Sequence, residues 1–320
     1  MKTLLKKISL ITISVMFLWA CHSATQEKQN AEKKYDTPTS GSVYIAVDEA
    51  FYHIIQQQAK MFMNEYEQTQ INLVIAPEDK AVALLLRDSV DAIIISRDLN
   101  SNEKKEIERQ KTITRAWVSY VDAISVVVSP AIKDTSISLS QLKDIFTGKI
   151  KNWKELNPQN PDSEIIMVLD NANSSNHNFL KNKFEIADIS KLKIFGTKSN
   201  LAIVEQVAKR ENALGIVSFS WISEENEANQ KLLSGVKILP VQDSTGKAYL
   251  ASQINLAQNL YPLSREVYSI VKNNRIGLSY AFMAFLGQET GQRIFLKAGL
   301  LPKKIPTREI EIITRNLEIK

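Results

Sequence analysis

The sequence predicts an α/β fold in two lobes, each a mainly parallel sheet flanked by helices. Three observations carry that expectation. From residue 42 onward, short β-branched and aromatic runs alternate with stretches of helical periodicity, the pattern of parallel strands joined by crossover helices. The 320 residues hold two such series, more than one layered domain of ~150 residues accommodates. No Gly/Ser-rich linker divides the series, so strands rather than a loose tether are expected to join the lobes. A hydrophobic content of 44% and a charged content of 23% are ordinary for a soluble globular chain.

The N-terminus reads as a targeting segment, residues 1–20. Lys2, Lys6 and Lys7 precede an apolar run from Ile8 to Trp19. That run falls short of the roughly 20 residues a membrane-spanning helix needs. It ends Leu18-Trp19-Ala20-Cys21, similar to a bacterial lipobox, so Cys21 is expected to be lipidated; ordinary signal-peptide cleavage is the alternative. Cys21 is the only cysteine, which excludes a disulfide within the chain. Residues 21–41 are polar and contain Pro38, as expected of a flexible tether. The formal charge is +5, but the three leading lysines supply much of it and no dense Lys/Arg stripe follows. A nucleic-acid partner is therefore not expected.

The globular part opens with a strand at 42–47. Asp48 can cap a helix over about 49–66, where Phe51, Ile54, Ile55, Ala59, Phe62 and Tyr66 share a face. A strand at 71–75, a helix at 79–87 and the buried-strand run Ala92-Ile-Ile-Ile95 follow. A charged surface helix is expected over 100–110 and a strand over 122–130, closed by Pro130. Further strands are expected at 165–169, 214–219, 236–240 and 266–271. Further helices are expected at 174–184, at 201–209 after the cap Asn200, and over most of 275–298.

The stretch from Leu139 to Leu156 is Leu-Ser-Gln-Leu-Lys-Asp-Ile-Phe-Thr-Gly-Lys-Ile-Lys-Asn-Trp-Lys-Glu-Leu. Read from the residues, it is a short amphipathic helix capped by Ser140 and stopped by Gly148, with Trp153 and Leu156 as a second apolar patch. Its wording resembles a segment of the phosphate-binding subunits of ABC phosphate transporters, which belong to the type II periplasmic solute-binding proteins. Four more segments resemble the family in the same order: Asp122–Pro130, Ala213–Val217, Tyr261-Pro-Leu-Ser-Arg265 and Gly287–Pro302. The resemblance implies the two-lobed type II periplasmic-binding-protein fold, with two crossing segments and an anion held between the lobes. Lobe I would be 42–127 plus 259–320, and lobe II 128–258.

Helix N-termini supply the convergent donors that a buried anion needs. Three helix starts follow strands here. At the first, Asp48 and Glu49 stand where the family usually has hydroxyls. Asp48 can be a plain cap and Glu49 a first-turn acid, and the backbone N–H groups of Ala50 and Phe51 could still serve a ligand. At the second, Ser96 offers a hydroxyl and Arg97 a planar fork for phosphate; a cap and a surface salt bridge are the plain alternatives. At the third, Ser174, Ser175 and Asn176 form the turn, with His177 near the family's usual arginine and Asn173 and Ser175 where glycines are usual. An ordinary capped helix start is the alternative there.

Signatures of catalysis or of a metal site are missing: there is no Gly-x-Ser-x-Gly, no His-Glu-x-x-His, no P-loop and no Cys/His spacing. His53 is expected to be structural. The resemblance implies a lipid-anchored solute-binding protein of the cell envelope, not an enzyme, acting as a monomer without cofactor or metal. It would deliver phosphate to a membrane permease. A related oxyanion or a small carboxylate stays open as the ligand, and a two-lobed sensor or adaptor lipoprotein as the role.

Overall fold

The structure, a computed structural model, describes residues 36–186, 192–224, 226–272 and 276–306. The expected signal peptide, Cys21, most of the tether and the end of lobe I beyond residue 306 lie outside the described residues.

In lobe I, strand β1 (Gly41–Val47) pairs in parallel with β2 (Thr69–Ile75) over its full length, and with β3 (Ala92–Ile95) on its other side. Helices α1 (Glu49–Glu65) and α2 (Glu78–Leu86) make the crossovers. β3 is buried along its whole length, as an apolar run without alternation requires. Ile93 and Ile95 share a cluster with Ala81, Val82 and Leu85 of α2 and Ile107 of α3 (Ser101–Arg109). Ala92 and Ile94 join the larger core with Ile54 and Ile55 of α1. Helix α3 is held by a capping box between Asn100 and Glu103.

The strand expected at 122–130 is the second half of a 15-residue strand, β4 (Thr114–Val128). Its first half was not expected because it is only partly buried and lacks an apolar run. That half pairs antiparallel with β12 (Ser264–Lys272) as far as Ala123. From Ile124 the same strand pairs antiparallel with β8 (Ala213–Ser218) and, at Val126–Val128, with β9 (Lys237–Leu239). β4 thus leaves one lobe and enters the other. The chain returns just before β12, where the Tyr261 hydroxyl donates to the Ile124 carbonyl at 2.7 Å.

In lobe II, β8 and β7 (Ile194–Gly196) flank β6 (Ile166–Leu169), all parallel. Helices α6 (Ser175–Phe184) and α7 (Asn200–Ala208) begin where β6 and β7 end. Gly215 lets α7 approach the sheet, because a Cβ there would lie 2.7 Å from Ile203 and Val207. The mixed sheet runs β2-β1-β3-β12-β4-β8-β6-β7, parallel within each lobe and antiparallel at the crossing strands.

Several expected boundaries move. Helix α4 (Leu139–Phe146) is capped by Ser138, not Ser140, because Ser138 and Gln141 form a reciprocal capping box. Gly148 follows with φ +71°, the left-handed turn expected of it. Trp153 opens the short helix α5 (Trp153–Leu156), fully buried, with its indole N–H on the Asn212 carbonyl at 2.8 Å. Ser199, not Asn200, caps α7, which frees the Asn200 side chain for the interlobe site. The helical stretch near the C-terminus is two helices, α10 (Leu278–Leu286) and α11 (Glu289–Lys297), separated at Gly287-Gln288. Small strands β5 (Ile137–Ser138), β10 (Val241–Gln242) and β11 (Ala248–Tyr249) form a separate sheet, and β13 (Leu301–Pro302) joins β4. Helices α8 (Glu227–Leu233) and α9 (Gln253–Ala257) complete the fold. No helix among the described residues is long and apolar enough to cross a membrane.

Candidate functional site

The ends of β1, β2, β6 and β7 bring four helix starts, those of α1, α2, α6 and α7, to one buried point between the lobes. The helix start expected at Ser96-Arg97 is instead a bend after β3, because Asn100 caps α3 and the helix begins only at Ser101. Asp48 caps α1 with one oxygen: its Oδ1 accepts the Ala50 N–H at 3.0 Å. Its Oδ2 crosses to lobe II and accepts the Ser175 N–H at 2.9 Å. Glu49 also crosses, and its Oε2 accepts the backbone N–H of Asn200 at 3.0 Å and the side-chain amide at 2.6 Å. A third carboxylate, Glu78 at the start of α2, accepts from Ser96 through N–H (2.9 Å) and hydroxyl (2.7 Å) and from the Ser175 hydroxyl (3.0 Å). Asp48, Ser175 and Asn200 have no exposed surface. Asn178 ties Glu78 to Asp79 by donating to both.

Below these groups lies an ion pair between the crossing strands. Arg265 of β12 sits opposite Asp122 of β4 in register, and its Nε and Nη2 both reach Asp122 Oδ2, at 3.0 and 2.8 Å. Nη2 also donates to Asn176 Oδ1 at 2.8 Å, which links the pair to the α6 turn. Asp122 also accepts the Ser218 hydroxyl on Oδ2 and the Ser220 N–H on Oδ1. The guanidinium lies 4.8 Å from the Phe51 ring centre. Among the described residues, Arg265 Nη1 is a buried donor without a hydrogen-bond partner.

Burial sets the protonation states. It raises the Asp48 carboxyl to about 6 against its two backbone N–H bonds, with Glu78 adding a smaller upward push. It raises Glu49 to about 7 in spite of Asn200. Asp170, beneath the Ser174 hydroxyl and the Asn176 amide, rises to about 8 through burial and then the charge of Asp48. Burial, with Lys181 second, lowers His177. His53 is lowered to about 4 by burial and packs on Trp221 with ring centres 4.5 Å apart, in keeping with a structural role.

The expected site residues therefore divide. Glu49, Ser96, Ser174, Ser175 and Asn176 lie in or beside the buried cluster. The N–H groups of Ala50 and Phe51 are spent on Asp48, through its side chain and carbonyl, so they are not free donors. The Arg97 fork is engaged by both oxygens of Glu103, and its Nε lies 3.3 Å from Glu78, because the α3 capping box places Glu103 beside it. The hydrogen bond to Glu103 raises the Arg97 pKa further. His177 is half-buried, and its backbone N–H goes to Ser174 Oγ. Residues 170, 176 and 177 line a small cavity of about 10 Å³, room for at most about one water.

Sequence reasoning missed Glu78, Asn200, Asp122 and Arg265. Asp122 carried a usable signal: a charge inside a buried strand needs a partner. Arg265 lay in a segment read only for its family resemblance. Among the described residues, no group of three or more His, Cys, Asp or Glu could hold a metal ion.

Known proteins resemble this chain over most of its length. The phosphate-binding protein PstS of Staphylococcus epidermidis is 24% identical over 246 residues, 75% of this chain and 72% of the relative. PstS of Staphylococcus aureus is 22% identical over 285 residues, 87% of this chain and 82% of the relative. Among solved structures, an ABC-type phosphate transport receptor from Vibrio cholerae superposes with a TM-score of 0.65 at 20% identity, covering 82% of this chain and 100% of its own. A substrate-binding protein from Clostridium perfringens, assigned to phosphate ABC transport and solved with bound phosphate, reaches 0.69 at 23% identity, with coverage of 82% and 100%. These likenesses agree with the two-lobed fold. The family model for the PBP superfamily domain matches residues 33–289, and the chain belongs to that superfamily.

Proposed function

We propose that this protein is a solute-binding protein of an ABC importer, held at the outer face of a membrane by a lipid on Cys21, and that it captures phosphate or a related oxyanion between its lobes. The observation that carries the reading is the pair of lobe II helix starts, at Ser175 and Asn200, whose N–H groups each hold a carboxylate oxygen from lobe I. Donors that take a carboxylate can take a phosphate oxygen. The hydroxyls of Ser96, Ser174 and Ser175 and the buried Arg265 add further donors beside them. The relatives named phosphate-binding support the choice of anion. Hinge movement about the two crossings would open and close the site, and the closed form would be presented to the permease.

Isothermal titration of phosphate-stripped protein with phosphate, sulfate and molybdate tests the reading. Heat with phosphate is expected; no heat with any of the three refutes it. The lobe I carboxylates favour a second reading, a two-lobed sensor or adaptor lipoprotein that signals to a protein partner. Adjacent permease and ATPase genes would support import, and an isolated locus beside a histidine kinase would support sensing.

A further inference from the structure

We infer that Asp48 and Glu49 determine what this cleft accepts: their carboxylates sit as internal anions on the donors for a ligand's oxygens, latch the lobes together, and must leave before an oxyanion binds. The inference rests on the reading of the cleft as an oxyanion site.

Ordinary capping does not account for these contacts. Helices α6 and α7 each have a cap from their own lobe, since Ser174 Oγ takes the His177 N–H and Ser199 Oγ the Ala202 N–H. The N–H groups of Ser175 and Asn200 are left over by those caps, and each is filled from the opposite lobe. Asp48 serves both lobes at once, with Oδ1 on its own helix and Oδ2 on α6. A side chain with one oxygen could do only the first. Glu78 strengthens the bridge through Ser175 Oγ and Asn178.

Charge makes the process an exchange and not an addition. A phosphate entering beside Asp48, Glu49 and Glu78 would meet three acidic side chains whose oxygens already occupy the donors, with the Asp122 carboxylate behind them. Arg97 and Arg265 are the cations at hand, and each is already paired with a carboxylate. Displacing even one charge-assisted hydrogen bond costs roughly tenfold in affinity.

The test compares the full-length protein with the double variant Asp48→Ser, Glu49→Ser, both stripped of phosphate. Serine keeps the cap on α1, so the fold is expected to survive. Asp48→Ser alone is the second variant, expected to shift both readouts in the same direction by less. Hydrogen exchange of peptides spanning 172–178 and 198–203 reads the latch, and titration with phosphate reads competition. The expected result is protection in the wild type that is lost in the double variant and restored by phosphate, with phosphate binding at least tenfold tighter in the variant. Equal protection in the two proteins overturns the latch, as do measurable but equal affinities. If neither protein binds phosphate while the protection difference remains, the latch stands and the phosphate reading falls. If both bind phosphate equally and neither is protected, the reading stands and the latch falls.

Discussion

Replacing Arg265 by methionine tests whether the two lobes are joined by a buried charge pair or merely by backbone. The arginine side chain is 1% exposed and Asp122 is 0% exposed, so neither has bulk water to fall back on. Arg265 makes three hydrogen bonds, two to Asp122 Oδ2 and one to Asn176. Methionine fills much of the volume and removes all three. Asp122 then keeps only the Ser218 hydroxyl and the Ser220 N–H. Removing one partner of a buried pair costs about 3–5 kcal/mol, chiefly because the remaining charge stays buried. At roughly 2–4 °C per kcal/mol for a chain of this size, the melting temperature should fall by about 6–20 °C. Asp122→Asn in the same chain neutralises the stranded charge and should recover at least half the loss. Urea unfolding followed by tryptophan fluorescence measures both variants against wild type. A loss under about 1 kcal/mol for Arg265→Met, or no recovery in the double variant, would refute the argument.

Stability should fall as pH rises from about 6.5 to 8.5. Asp170 and Glu49 have folded-state values raised to about 8 and about 7, so in this window the native state holds more protons than the unfolded chain. The stability that goes with those protons, about 2 kcal/mol, is lost as pH passes through the raised values. His53, lowered to about 4, works in the opposite sense, but only below its unfolded value near 6.5. Urea midpoints at the two ends of the window measure the effect, and a higher midpoint at pH 8.5 would contradict it. Gly215→Ala should cost about 1–3 kcal/mol by overpacking, because the added Cβ meets Ile203, Val207 and Val127 at 2.7–2.8 Å. An unchanged urea midpoint would mean that α7 can move away from β8 at no cost.

Much of the fold was legible in the residues. The alternation of apolar strands with periodic helices identified the α/β class, and β3 could be read from one run of apolar residues. Gly148 and Trp153 behave as their chemistry requires, one at positive φ and one buried with its N–H satisfied. Caps were less legible. Two serines near a helix start compete, and the reciprocal bond from Gln141 selected Ser138 over Ser140. The first half of β4 carried no periodic signal because it is only partly covered.

The sequence alone determined the strand–helix alternation, much of the local turn chemistry and which residue types stand at the starts of α1 and α6, because these depend on neighbours within a few positions; Ser96-Arg97, expected as a third start, is a bend. It also made plain that carboxylates stand at the first start. Only the tertiary structure decided what those carboxylates do. Asp48 meets Ser175 across 127 positions, Glu49 meets Asn200 across 151, and Arg265 meets Asp122 across 143. No local rule encodes such pairs. They exist because two lobes bring their helix N-termini and their acids to one dry place, where an unpaired charge costs too much to leave unmet.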